Sequence, residues 1–399
     1  MTTFRNGGLN LTRRWEGTTV QDVGDWKDSK TIEIEMKLFY TSHMHRYDLC
    51  DVPLKFHVRA FIPTKGDVVS RKWIKKVKLP DGSIVFQKRY VHFPPFALAD
   101  AHATVEIFRD YFEKNAIGAM LHVAQFSHPV VREHFEAAVE HLYSLPDGDV
   151  EKFFLQKFIK LWFCVRFTTG TDYLSGTEKL GCLPVPDADY PLGDRISVPR
   201  MITAQGDSII VSRLLRPLTQ ELIPELEKIF RIGNPDNWFL LYVCTFILLS
   251  EISFSCQDRR RHAQENWLKQ KYTLPEFVGE LQFGTNIILC YWHYYRTMDP
   301  MDDGWDVFCK TIQPPTRPRA EIESAKGKGK KRVHLTHSQR ALVTRHWRSM
   351  VETANMMDTP EYRECYEHPL YFVCQMYTKG WQIRDHYKRG PPDEPEDIA

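Results

Sequence analysis

At 399 residues the chain is long for one hydrophobic core, and 43% hydrophobic with 13% aromatic residues is enough apolar material to exclude global disorder. Its 53 basic and 51 acidic residues nearly cancel. That balance argues against a uniformly basic surface able to hold nucleic acid by itself, and leaves room only for local patches.

Residues 1–30 are polar and read as a loose N-terminus. From Thr31 the apolar period is two: Ile32, Ile34, Met36 and Leu38 alternate with Glu33, Glu35 and Lys37. Leu54, Phe56, Val58 and Ala60 alternate in the same way with Lys55, His57 and Arg59. Both runs predict half-buried strands. The segments 72–79 and 84–93 flank Pro80-Asp81-Gly82, a turn-forming triplet that predicts a β-hairpin. Residues 31–96 thus read as a small antiparallel β region, closed by Pro94-Pro95.

Helical spacing of apolar side chains follows over 97–116, 129–143 and 150–168. Residues 169–200 are rich in Gly, Pro and Asp and read as a long ordered loop. A helical stretch over 203–231 is expected to break near Pro217 and Pro224. Next comes the most apolar stretch, NPDNWFLLYVCTFILLSEISFSC (234–256), uncharged from Trp238 to Ser250. Asn234 suits a helix cap, Pro235 the first helical position and Asp236 the positive end of the helix dipole. Ended by Glu251, the run is shorter than the ~20 residues of a membrane span and reads as a buried core helix. Residues 281–295 read as a second buried segment, 338–357 as a helix and 369–381 as another apolar segment. The expected organisation is a helical core domain over 97–298, a Pro- and Lys-rich linker over 299–334, a C-terminal part of the core over 335–388, and an acidic disordered tail over 389–399. The fold class is α+β, mainly α, with a small N-terminal antiparallel sheet packed on a large helical domain.

Nine cysteines are scattered singly without a CxxC pair, the usage of a reducing compartment. The N-terminus lacks an apolar h-region, so no secretory signal is expected. Lys326, Lys328, Lys330, Lys331 and Arg332 form a short basic run with glycines between. Such a run reads as a nuclear-import signal or a phosphate-contacting patch, against the plainer reading of a solvated linker. Arg259-Arg260-Arg261 reads as the polar continuation of the central helix. Gly206-Asp207-Ser208-Ile209 is like the nucleophile block of GDSL-type serine hydrolases, but the Asp-x-x-His that would supply the base occurs nowhere. Asp207 capping a helix explains those residues more simply. His43 with His45, and His128, His134 and His141, invite a metal, yet HExxH is absent and the last two stand two helical turns apart. Surface histidines are the simpler expectation. No catalytic site, cofactor or metal is expected, and the aromatic clusters near Trp238 and Tyr291 read as core.

The strings RAFIPTKGDVVSRKW (59–73), NWFLLYVCTFILLSEIS (237–253), GELQFGTNIILCYWHYY (279–295) and YFVCQMYTKGWQIR (371–384) are similar to filamentous-fungal transcription-factor-like proteins of the zinc-cluster class. The resemblance runs over about 47–387. It implies a largely helical regulatory region, nuclear location and control of transcription. One departure stands out. The binuclear zinc cluster needs six closely spaced cysteines, whereas the first two here are Cys50 and Cys164. The expectation is a regulatory body that acts through protein partners, such as another transcription factor, or through DNA contacts of a kind the sequence does not identify, with no membrane. A cytoplasmic scaffold is the alternative, and a hydrolase using Ser208 the third reading.

Overall fold

A computed structural model describes residues 22–41, 46–232, 234–295, 305, 309–313 and 333–385. The alternation over 31–38 becomes part of strand β1, Trp26–Thr41, in which Ile34, Met36 and Leu38 are buried. It starts before Thr31 because Trp26 pairs with Phe61 across a bulge, so residues 26–30, the end of the segment expected to be loose, already belong to the sheet. β1 pairs antiparallel with β2, Arg46–Asp48, and with β3, Leu54–Phe61, which places Ile34 opposite Phe56 and Met36 opposite Leu54.

The hairpin forms as expected, from β4, Ser70–Lys78, and β5, Ile84–His92. Gly82 takes a left-handed φ of 84° in the turn, and the Asp81 carboxylate accepts from the Ser83 amide at 2.9 Å. It does not extend the first sheet but stands as a two-stranded ribbon of its own. Strand β6, Phe96–Leu98, continues the main sheet on β3, and this delays the first helix until Asp100 can cap it at the Ala103 amide, 2.8 Å. A further strand, β7, Thr171–Leu174, lies inside the expected 169–200 loop and pairs with β1, setting Leu174 opposite Met36.

The helices are α1, Ala101–Ala124; α2, Pro129–Ser144; α3, Val150–Phe167; α4, Arg200–Ile209; α5, Arg216–Ile232; α6, Trp238–Glu265; α7, Pro275–Tyr295; and α8, His337–Met357. The architecture is α+β and mainly α. The break expected near Pro217 and Pro224 does not occur. Between α4 and α5 the chain runs through a π-helical segment, Ile210–Leu215, whose end is marked by the Arg216 amide donating to Val211 O, just before Pro217 removes a donor. Pro224 and Gln220, four residues earlier, are both exposed, so water can replace the missing N–H. Asn234 does cap: its side chain accepts from the Asp236 amide at 3.1 Å, through a short 3₁₀ turn that leads into α6. α8 carries a capping box, with Thr336 accepting from the Gln339 amide at 3.3 Å and Gln339 accepting from the Thr336 amide at 2.9 Å.

α6 runs on past Glu251 through Arg259, Arg260 and Arg261 to Glu265, so those arginines are the polar continuation of the central helix, as expected. At 28 residues and a window hydropathy of 1.9 it is long and apolar enough to cross a membrane, but 83% of that window is buried inside the protein. Burial, not length, is what supports the core reading.

The chain divides into two compact units. The first holds Met1–His122, Phe163–Pro217 and His262–Lys271. Its core joins sheet to helix through Phe56 against Phe108 at 5.8 Å, and α1 to α3 through Phe112 against Phe163 and Phe167 at 4.8 and 5.0 Å. The second holds Val123–Trp162, Leu218–Arg261 and Tyr272–Ala399. There Tyr242 lies at 5.3 Å from Trp238, which also meets Trp292 and Trp305. In the same unit a short parallel pair, β8, Cys309–Thr311, and β9, Val333–Leu335, sets Cys309 against Val333, with both side chains buried.

Candidate nucleic-acid interface

The near-zero net charge conceals a strong local asymmetry. Residues 70–92 (SRKWIKKVKLPDGSIVFQKRYVH) hold seven Lys and Arg and one acidic residue, Asp81, which lies in the turn. That is +6 in a chain of +2, so the rest sums to −4. Strand geometry then sorts these charges. Residues directly opposite each other share a face, and faces alternate along the strand.

The first face is anchored. Trp73 is buried and meets Tyr190 edge-on at 5.6 Å, within a cluster that includes Phe39 and Leu192. Lys75 pairs with Asp187 at 2.5 Å, and Arg71 donates to Ser197 Oγ at 3.2 Å. Burial lowers the Arg71 pKa and the Arg200 cation adds to this, while Tyr190, Asp172 and Glu265 offset it.

The second face is outward. Lys72, Lys76 and Lys78 stand opposite Tyr90, Phe86 and Ile84, with Lys88 opposite Ile74. Ile84 is 48% exposed, Phe86 51% and Tyr90 45%. Apolar side chains half in water beside a row of lysines are the combination that tracks nucleic acid: the ammonium groups meet phosphates, and the rings meet bases or sugars. A two-stranded ribbon also fits the ~12 Å major groove. Two strands of nine residues reach about 30 Å.

Beside this face lies Trp267, 43% exposed. It ends α6 in a Schellman arrangement: the Leu268 amide donates to Ala263 O at 2.9 Å and the Trp267 amide to Gln264 O at 3.1 Å. Trp267 occupies the left-handed position with φ 55°. Its ring lies 5.2 Å from Phe86, and Lys76 Nζ sits 4.7 Å over it.

The residues singled out in the sequence fall elsewhere. Lys326, Lys328, Lys330, Lys331 and Arg332 lie outside the described residues, as do His43 and His45. Arg259 and Arg261 both pair with Asp258 at 2.6 Å, and Arg260 pairs with Glu367. His134 and His141 are buried, not on the surface, because each finds polar partners inside. His134 bonds Val130 O and the Tyr242 hydroxyl, both at 2.7 Å; His141 bonds Glu151 at 2.7 Å and Gln339 at 3.0 Å. Asp207 caps nothing. It sits inside α4, whose N-cap is Pro199, and burial with the nearby Asp172 carboxylate pushes its pKa up to about 7. Ser208 is buried on the same helix. All nine cysteines are free thiols. Among the described residues no group of three or more His, Cys, Asp or Glu side chains is placed to hold a metal ion. The hairpin's charge was visible in the sequence, and a net charge taken element by element would have found it.

The family model described as KpeA transcription factor matches residues 4–307, which include the whole ribbon, β7 and the central helix. The chain belongs to the KpeA transcription factor family. Membership makes it a transcription-factor-like protein. The match carries nothing finer about a zinc-cluster class. No curated protein and no solved structure matches the chain.

Proposed function

We propose that this member of the KpeA family is a nuclear transcription regulator of a filamentous fungus, that it holds DNA through the outward face of the β4–β5 ribbon, and that a partner transcription factor reads the sequence. The observation that carries this is a ribbon of +6 in a chain whose total is +2, with four of its lysines, Lys72, Lys76, Lys78 and Lys88, on the outward face. Lysine contacts to phosphate position a protein on the duplex without reading its bases, which leaves sequence readout to another protein. Import is assigned to Lys326, Lys328, Lys330, Lys331 and Arg332.

Each phosphate neutralised adds about 0.9 to the slope of log affinity against log salt. Replacing Lys72, Lys78 and Lys88 with glutamine therefore lowers that slope by up to about 2.7 on a duplex probe, measured by fluorescence anisotropy from 50 to 200 mM salt. The loss is the same for unrelated sequences. An unchanged slope means the ribbon is not the contact.

A fluorescent fusion of the whole chain is expected in the nucleus. Replacing Lys330, Lys331 and Arg332 with alanine spreads it into the cytoplasm. Cytoplasmic signal from the unaltered fusion would remove both the import segment and the regulatory reading.

A further inference from the structure

The left-handed φ of Trp267 demands an explanation. The position after a helix end in a Schellman arrangement is ordinarily glycine, because a Cβ there crowds the backbone. A large ring is among the least suited side chains for that position, and strain of this sort persists where the surroundings over-determine it, often at functional sites. What the strain achieves is a specific placement: the indole projects beside the basic ribbon, flanked by Phe86 at 5.2 Å and with the Lys76 ammonium 4.7 Å over its face. Both rings remain about half exposed, Trp267 at 43% and Phe86 at 51%. A contact whose purpose was packing would have hidden them.

We propose that Trp267 and Phe86 form a stacking platform for an unpaired nucleobase, so that the preferred ligand of the ribbon is single-stranded nucleic acid. The assignment rests on the reading of the ribbon as the nucleic-acid interface. Paired bases inside a duplex present their edges to the grooves, and their faces are covered by neighbouring base pairs. Aromatic rings on residues left about half exposed in a positive setting suit the face of an unstacked base, with Lys76 placed to meet the adjoining phosphate. Charge alone would serve any polyanion. The strained tryptophan is the element that selects for a base.

The glycine preference of the position supplies the variant. Trp267→Gly removes the ring and suits φ 55°, and Trp267→Asn, also tolerant of that region, is its duplicate. The probes are a twelve-nucleotide oligothymidine, a twelve-base-pair duplex and an abasic phosphodiester strand of the same length, bound to the full chain at one salt concentration. The unaltered protein is expected to bind oligothymidine more tightly than duplex. Stacking is worth about 1–3 kcal/mol per base, so both variants lose roughly 5- to 150-fold on oligothymidine and nothing on the abasic strand. Phe86→Thr acts in the same direction. Trp267 variants that bind oligothymidine as the parent does, or that lose equally on the abasic strand, overturn the platform and leave the salt-slope result for Lys72, Lys78 and Lys88 standing. A parent protein that binds none of the three probes removes the ribbon reading as well. A fall of the unfolding temperature by more than a few degrees in both Trp267 variants shows the ring to be packing, and also overturns it.

Discussion

Phe246→Asp abolishes the cooperative unfolding transition of the protein, followed by circular dichroism on heating, and drives most of it out of solution. Phe246 is completely buried on α6, and its ring stacks on His134 at 3.7 Å and within 2° of parallel. Loss of the ring alone costs ~3–5 kcal/mol by analogy with other buried phenylalanines. An unanswered buried carboxylate adds several kcal/mol, against a total stability of ~5–15. The neighbouring imidazole could answer the charge only by taking up a proton its surroundings resist. Phe246→Leu, which keeps the volume nearly apolar, is the control and should fold with a modestly lower unfolding temperature. A soluble Phe246→Asp protein with an unchanged melting curve would mean that α6 is not the core.

That resistance sets the second large effect, acid lability. Val130 O can only accept, so His134 Nδ1 carries the proton and Nε2 accepts from the Tyr242 hydroxyl. Tyr242 in turn accepts from the Tyr377 hydroxyl at 2.8 Å. The chain of bonds is satisfied with a neutral ring. Burial pushes the His134 pKa down to about 3, with the nearby His346 acting in the same sense and the Val130 carbonyl opposing. The folded pKa lies below the unfolded value near 6.5, so between the two the unfolded chain binds the extra proton. The stability is therefore complete above pH 6.5 and falls by about 1.4 kcal/mol for each pH unit down toward 3, on the order of 5 kcal/mol in all. Burial also lowers His368, which adds to the same trend. Denaturant titrations at pH 7, 6, 5 and 4 should show the loss, and His134→Gln should flatten the slope by about one proton. An unaltered slope in that variant would place the acid sensitivity elsewhere.

Local chemistry made much of the fold legible. The period-two runs at Ile32–Leu38 and Leu54–Ala60 became paired strands, and Pro80-Asp81-Gly82 turned the hairpin as its residue types require. Asn234 capped, because cap and turn signals are read within a few residues. What escaped depended on distant partners. Thr171–Leu174 is a strand only because β1, more than 130 positions earlier, offers an edge to it. His134 is buried because Tyr242 reaches it from another helix, and nothing around His134 announces that hydroxyl. The continuity through Pro217 depends on a change of helical register that propensity does not encode. The candidate site divides along the same line. Its charge is written in 70–92 and was hidden by averaging over the chain. Its tryptophan reaches Phe86 from 181 positions away, in a backbone conformation that residue type argues against.

The β8–β9 pair holds Cys309 against Val333 and Thr311 against Leu335, and the Ile312 amide adds a bond to Leu335 O at 2.8 Å. The two flanks of the segment that carries Lys326 to Arg332 are thus fixed by contacts that do not involve that segment. Doubling the length of a loop whose ends are already joined costs only about 0.6 kcal/mol in closure entropy. On that ground the ladder and the burial of Cys309, Val333 and Leu335 hold the two strands together with little dependence on how many positions separate them in the sequence.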